Sequence, residues 1–461
     1  MESSQIKQIL FDRYIKPTTY ERKKFIGIEI EMPIVNLNRQ AVEFDNIHRI
    51  TELFIKYFDF EVSGIDDEGN IYSATSNENG DILSYDCSYN NLELSFGKET
   101  NLFTVKDRFT RYYSFLQNEL RAYGYTLTGM GINPYRKYNH NVPIPNGRYR
   151  MLFHHLKSYR YYFDVPMYFH KYPEYGTFSS ASQVQLDVSC EELPLTLNVF
   201  SKLEPIKALI FSNSVLTDEH EDVLCYRDLF WENSTHGVNS HNIGMYGADF
   251  STTDEILSYI STTSIYCVER GDKYINFAPM KITDYFNLQS IEGEYYDGGE
   301  YKKITFKPVS DDIKYLRTFK FEDLTFRGTV EFRSVCCQPI KDSMTVAAFH
   351  VGAKNRLAEL DRLFSEDEVL YNNGYTAAEL RKMLINTKIP GFINQDELYS
   401  LAGKVLEIVS DGVKERGLGE ENLLEPLYDR VEKRTNPARM MLELKDSGVP
   451  MEKIIKEYSE I

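Results

Sequence analysis

Two glutamates, Glu29 and Glu31, stand two residues apart in the stretch Gly27-Ile28-Glu29-Ile30-Glu31-Met32. In an extended strand alternate side chains share a face, so both carboxylates point one way while Ile28, Ile30 and Met32 turn toward a core. Adjacent acids on an apolar strand repel each other, lose hydration and require a compensating charge. Taken alone, the pair fits the solvated face of an antiparallel sheet. The pattern recurs, however, as Asp86 and Glu93, as Gln185 and Asp187, and as Glu331 and Arg333, each in a strand-like context. If these strands form one antiparallel sheet, the polar faces converge on its concave side. Carboxylates crowded into one cavity each cost on the order of several kcal/mol to leave unpaired, so divalent cations are their natural counter-ions. Hard oxygen ligands without histidine or cysteine point to Mg²⁺ or Mn²⁺ rather than zinc. Mg²⁺ in turn favours a few carboxylates completed by nucleotide phosphates. The chain has no Walker loop and no G-x-G-x-x-G after a strand, so phosphates would be gripped by metals and arginines.

The elements that must position these residues are legible from periodicity. Met1 to Lys16 predicts a short amphipathic helix with Ser4 as a cap, Ile6, Ile9, Leu10 and Tyr14 on one face and a stop at Pro17. Helical spacing predicts helices over Asn46–Phe58, Val105–Tyr123 and Met151–Tyr162, and over Leu193–Ser212 with an interruption near Pro205. Turn signals stand at Asp66–Asn70 and at Asn79-Gly80. Strands are expected up to Tyr85-Asp86, at Leu92–Phe96, Thr126–Met130, Ser179–Val188 and Gly328–Ser334, within a β-rich stretch from Tyr301 to Val335. The loop from Gly129 to Arg150, with Arg136, Lys137, Arg148 and Arg150, is either an anion site or a surface loop with solvated charges. Arg227, set among aromatics before Trp231, is either a clamp for a substrate carboxylate or a structural ion pair. From Asp342 onward helical patterns dominate. The expectation is an α+β fold: residues 1–341 form a β-rich core with crossing helices, and residues 342–461 a helical region packed on it as one structural unit.

Composition narrows the function classes. The 461 residues carry a formal charge of −17, which argues against a general binder of nucleic acid or anionic membrane. No run of 18 apolar residues and no signal-peptide hydrophobic region is present, and the six cysteines are scattered without a CxxC pair. They read as reduced thiols in a cytoplasmic protein, the adjacent Cys336 and Cys337 as packing.

The ordered motifs resemble those of the glutamate–cysteine ligases, especially the plant-type branch, within the glutamine-synthetase-like superfamily. Gly27, Glu29 and Glu31 look like a G-x-E-x-E strand, and Asp86 and Glu93 like an acid pair spaced by seven. Gly131-Ile132-Asn133-Pro134 through Pro145-Asn146-Gly147-Arg148-Tyr149-Arg150-Met151 is similar to a G-x-x-P…P-x-G-R-Y-x-x-M signature. Gln183-Val184-Gln185-Leu186-Asp187, Ser212-Asn213-Ser214, Arg227…Trp231 and Glu331-Phe332-Arg333 follow in family order, as do Arg416–Glu421 and Thr435–Ala438. The resemblance implies a curved antiparallel sheet forming a funnel, with ATP and metal at one end and amino acids at the other. It implies transfer of the γ-phosphoryl group of ATP to the side-chain carboxylate of glutamate, then attack of cysteine's amine on the acyl phosphate. Glu29, Glu31, Asp86, Glu93, Gln185 and Glu331 would be metal ligands, directly or through water. Arg333 would stabilise the transferring phosphoryl group, Arg227 with Trp231 would hold a substrate, and Arg148 and Asp187 would belong to the ATP site. Two features depart from the pattern: Cys336-Cys337 replace a Gly-rich turn, and Glu232–His236 lack the arginine usual beyond the tryptophan. The accepted amine, cysteine or another, is therefore open, and a non-catalytic relative that binds a nucleotide is the remaining alternative.

Overall fold

A computed structural model describes residues 3–162, 164–165, 168–170, 173–218 and 222–461. Its strands are β1 (Ile26–Asn36), β2 (Phe60–Ile65), β3 (Ile71–Ser76), β4 (Ile82–Tyr85), β5 (Asn91–Glu99), β6 (Tyr125–Leu127), β7 (Ser182–Asp187), β8 (Ile243–Gly244), β9 (Ser264–Arg270), β10 (Lys273–Lys281), β11 (Ile291–Asp297), β12 (Glu300–Phe306), β13 (Phe319–Lys320), β14 (Glu322–Leu324) and β15 (Thr329–Phe332). The main sheet is antiparallel and runs β14-β15-β7-β1-β5-β4-β3-β2, with β6 paired to the far end of β1. It is open, with β14 and β2 as its edges. A second antiparallel sheet runs β12-β11-β10-β9, and β8 pairs in parallel with β13. This is the α+β fold expected, an antiparallel sheet surrounded by helices.

Central β1 shows why the sheet holds. Ile26, Ile28, Ile30 and Met32 are almost wholly buried on one face, while Glu29 on the other is half-buried. That apolar face packs into one continuous core with helices Phe44–Phe58, Leu102–Arg121, Leu193–Phe211 and Thr345–Asn355. Helix Gln395–Lys414 lies against Thr345–Asn355 so closely that a Cβ at Gly352 would sit 2.2 Å from the carbonyl oxygen of Val409. Only glycine permits that approach. The C-terminal helices Pro437–Asp446 and Met451–Glu457 form a separate cluster with Val35, Met130 and Tyr135.

Several elements differ from the periodicity reading. Leu193–Phe211 is one uninterrupted helix with Pro205 inside it, because burial on all sides outweighs the lost backbone bond. The N-terminal segment is an α-helix only over Ser3–Leu10, followed by a π turn (Phe11–Ile15) and a 3₁₀ turn (Lys16–Thr19) containing Pro17; Met1 and Glu2 lie outside the described residues. The stretch from Tyr301 to Val335 is broken by a 3₁₀ helix (Ser310–Tyr315), leaving only short strands beyond it. In the basic loop, Arg136 is engaged by Asp218 and Arg150 by Asp67, so two of its four cations are ion-paired.

Candidate active site

Register decides which side chains meet. Glu31 lies opposite Glu93 across the β1–β5 ladder, and Glu29 opposite both Ser95 on β5 and Gln183 on β7. Gln185 on β7 faces Glu331 on β15, which faces Asp323 on β14. Residues directly opposite share a face. Asp323, Glu331, Gln185, Gln183, Glu29, Glu31 and Glu93 therefore form a row across five strands on the side away from the core. Asp86, just past β4, reaches the same region: Asp86, Asp323, Glu331, Arg333, Arg148 and Trp231 line a cavity of about 480 Å³. A small adjoining recess is lined by Glu31, Asp86, Gln183, Arg227, Trp231 and Arg333.

Hydrogen bonds hold the row in place. Glu31 accepts from the backbone N–H of Ala181 and from Gln183 Nε2, both at 2.7 Å. Gln185 is engaged at both ends, donating to Glu29 at 3.0 Å and accepting from Arg327 at 2.9 Å. Ser95 donates to Glu93 at 2.6 Å, Arg333 to Glu331 at 3.0 Å and Thr318 to Asp323 at 2.8 Å. Arg227 donates to the carbonyls of Ser334 and Arg333, at 3.1 and 3.3 Å, and its Nε has no partner among the described residues. Arg227 forms no ion pair among the described residues; backbone oxygens fix its guanidinium, which borders the recess. Trp231 stacks on Phe319 with centroids 4.1 Å apart. Asp187 instead accepts from Phe25 N at 3.2 Å and pairs with Arg22, so it stands outside the cavity lining. Cys336 and Cys337 are buried free thiols pointing to different partners, Cys336 toward Cys225 (Sγ–Sγ 3.6 Å) and Cys337 toward its neighbour's carbonyl.

Crowding has an electrostatic cost. Burial, then the nearby charges of Asp86 and Glu93, pushes the Glu31 carboxyl up to about 8. Burial and Glu331 raise Glu29, and burial and Asp86 raise Glu93. Asp323 rises to about 7 through burial, partly opposed by Arg333. Such acids hold protons in the folded chain that they release when unfolded, so without metal they favour folding below the ordinary carboxylate pKa of 4.5 and lose that contribution as pH rises toward 8. Metal-free melting temperature is expected to fall from pH 5 to pH 8, and Mg²⁺ to flatten the slope. Thermal melts with and without EDTA check this, and a metal-free profile that rises with pH would contradict it.

The donor chemistry fits a hard divalent cation: carboxylate oxygens, short of positive partners, on a half-enclosed face. Among the described residues no three acidic, histidine or cysteine side chains form a ready-made metal cluster. Two functional candidates escaped the sequence reading, Asp323 and Arg317. Asp323 carried a usable signal, lying eight residues before Glu331 across a hairpin turn, but its neighbour Glu322 offered the same residue type on the opposite face.

Among the described residues no helix is long and apolar enough to cross a membrane. Residues 25–460 match the sequence profile of glutamate-cysteine ligase family 2 (GCS2). A glutamate–cysteine ligase of Nicotiana tabacum, named chloroplastic, is 25% identical over 274 residues, 57% of this chain and 48% of that protein. Its counterpart in Medicago truncatula is 24% identical over 339 residues, 70% of this chain and 59% of that protein. The chain thus spans about half to three fifths of the length of these plant relatives. Among solved structures, a Francisella tularensis glutamate–cysteine ligase in complex with AMP superposes with a TM-score of 0.52 at 12% identity, covering 96% of this chain and 88% of that one, a likeness of fold. With an acid-lined antiparallel sheet and a family match over almost its whole length, the chain belongs to glutamate-cysteine ligase family 2.

Proposed function

We propose that the protein is an ATP-dependent carboxylate–amine ligase joining the side-chain carboxylate of glutamate to the amine of cysteine through a γ-glutamyl phosphate. The observation that carries this reading is the row of acids across β14 to β5, of which Asp323 and Glu331, with Asp86, line one cavity together with Arg148, Arg317, Arg327 and Arg333, while Glu31 lines the adjoining recess. A purely structural sheet face has no reason to gather like charges that burial leaves short of partners. In the first step a glutamate carboxylate oxygen attacks the γ-phosphorus of ATP and ADP departs. In the second the amine nitrogen attacks the acyl carbon, inorganic phosphate leaves and the amine loses a proton.

Arg333, oriented by Glu331, places positive charge at the acid row, where phosphoryl oxygens would gather negative charge. Arg227, immobilised by two carbonyls, presents its edge to the recess, where it would hold a substrate carboxylate beside Trp231. Arg148, in the field of Asp86 and Glu93, would neutralise nucleotide phosphates. Glu29, Glu31, Asp86, Glu93, Gln185 and Glu331 would hold Mg²⁺ or Mn²⁺, which supplies Lewis-acid polarisation and charge neutralisation.

One observation favours a different amine. The segment after Trp231 folds so that His236 is buried among Trp231, Phe319 and Tyr266, which gives this part of the cavity an aromatic wall on which an apolar amine would rest. The test is incubation with ATP, Mg²⁺ and glutamate across a survey of amines, following ADP, phosphate and product mass. Cysteine-dependent ADP release is expected, falling at least about 100-fold when EDTA replaces Mg²⁺. Turnover only with another amine would replace cysteine in this reading. ATP binding without turnover for any amine would replace catalysis with a nucleotide-binding role.

A further inference from the structure

A second cavity, of about 560 Å³, lies farther along the helix Gly147–Lys157 and shares no lining residue with the first. Its walls come from His154, His155 and Ser158 at the end of that helix and from one face of the second sheet. Register fixes that face. Asn276 on β10 lies directly opposite Glu294 on β11, which lies opposite Lys303 on β12. Glu292 stands two residues along β11, opposite Thr305. Residues paired in this way share a face. Phe277, Ala278 and Ile304 add an apolar lining.

Two buried side chains of this lining are unsatisfied. Asn276, 5% exposed, donates through Nδ2 to the carbonyl of Met151 at 3.0 Å, which leaves Oδ1 as its free end, without a partner among the described residues. His155, 3% exposed, has no partner at Nε2. Burial, with His236 and His154 nearby, holds the His155 ring well below the ordinary histidine range, so the ring is neutral and one of its nitrogens accepts. A buried acceptor without a donor is costly, so what fills the cavity must bring N–H or O–H groups. Charge points the same way. Glu292 has no hydrogen bond or ion pair among the described residues, Glu294 is met by His154 Nε2 at 2.6 Å, and Lys303 is the single ammonium beside these two carboxylates. An alkylammonium brings three N–H donors, one positive charge and an apolar stem, which suits these acceptors and their lining. The cavity also backs onto the active site. The His155 ring stacks on Tyr266 with centroids 3.8 Å apart and lies 4.7 Å from His236, which is 5.5 Å from Trp231. Tyr266 and Trp231 both line the first cavity, so a group taken up at His155 acts on rings that wall the active site.

We propose that this second cavity is an effector site for a compound carrying a primary ammonium group on a short aliphatic stem, its nitrogen held by Asn276 Oδ1, His155 Nε2 and the carboxylates of Glu292 and Glu294. A simple amine and an amino acid whose carboxylate meets Lys303 share this chemistry, and the probes separate them. The full chain, with glutamate and a non-hydrolysable ATP analogue, is titrated calorimetrically with cadaverine, with L-lysine and with the neutral 1,5-pentanediol. Emission of Trp231, the sole tryptophan, is followed in parallel.

At least one of the two ammonium probes is expected to bind about 10-fold or more tightly than the diol, the scale of a charge-assisted hydrogen bond, and to shift Trp231 emission. Tighter L-lysine supports the site with an amino acid as its ligand, and tighter cadaverine supports it with a simple amine. Glu292→Lys is expected to weaken binding at least about 10-fold while melting like the parent, because no partner is lost. Glu294→Gln, which still accepts from His154, is expected to weaken it less. Equal binding of the diol, or no binding of either ammonium probe up to about 10 mM, would overturn the proposal. So would unchanged binding in both variants, since the amine would then sit elsewhere, the first cavity included. Binding that leaves Trp231 emission and turnover unchanged would overturn the effector role. Absence of ADP release with any amine bears on the ligase reading alone, because calorimetry and emission are read without turnover.

Discussion

Replacing Glu331 by Gln is expected to lower turnover by about 10²–10³-fold, the cost of removing one preorganised electrostatic group, while leaving the melting temperature equal or higher. Glu331 orients Arg333 at 3.0 Å, and its charge contributes to lifting both Glu29 and Asp323. An isosteric amide still accepts from Arg333 but removes one negative charge from a crowded row, so repulsion falls without loss of shape. Glu29→Gln is expected to behave alike, with its bond to Gln185 kept through the amide oxygen. The measurement is kcat together with thermal melts, with and without Mg²⁺. Normal turnover in either variant would remove that residue from the site, and a melting temperature several degrees lower would make its role structural.

The largest stability effect is expected one layer below the site. Arg381 donates to Glu204 Oε2 at 2.6 Å and to both oxygens of Asp228, at 2.8 and 3.1 Å. Lys207 also pairs with Glu204, and Ser334 Oγ donates to it at 2.9 Å. Burial works against the charge on Glu204, yet Lys207 and Arg381 hold its carboxyl down to about 2. Arg381→Met would leave two carboxylates short of a partner in the interior. It is expected to cost about 3–5 kcal/mol, as when one member of a buried ion pair is removed. Asp228 follows Arg227 and Ser334 follows Arg333, so activity is expected to fall with stability. Urea denaturation measures the loss, and Glu204→Gln in the same chain should recover part of it because the two changes share one network. A midpoint equal to the parent's would mean that water enters and replaces the arginine.

Arg227 shows how far single residues can be read. Its type and aromatic setting were visible in the chain, but two of its nitrogens are occupied by the carbonyls of Arg333 and Ser334, more than 100 residues away. Only packing could reveal that. The same holds for Pro205, which marks a break in periodicity yet lies inside a continuous helix because its surroundings are buried. Asp187 shares a strand face with Gln185, but the chain crossing at Phe25 and Arg22 takes its carboxylate away from the cavity.

Alternation along each strand depends only on local backbone geometry, so the sequence alone determined that Glu29 and Glu31, Gln183 and Gln185, or Glu331 and Arg333 share a face. It also determined the α+β class, through segments whose period is 2 or 3.6. Which strands lie side by side is set by pairings between residues as far apart as Glu29 and Gln183, and such contacts leave no mark on the neighbouring sequence. Tertiary structure therefore decided that β14 joins β15. With that it turned Asp323 toward the acid row and Glu322 into the core beside Glu204, though the two acids are adjacent in the chain. It likewise left Arg317 on the cavity wall without a hydrogen bond or ion pair among the described residues, because whether a charge is satisfied depends on every element that packs around it.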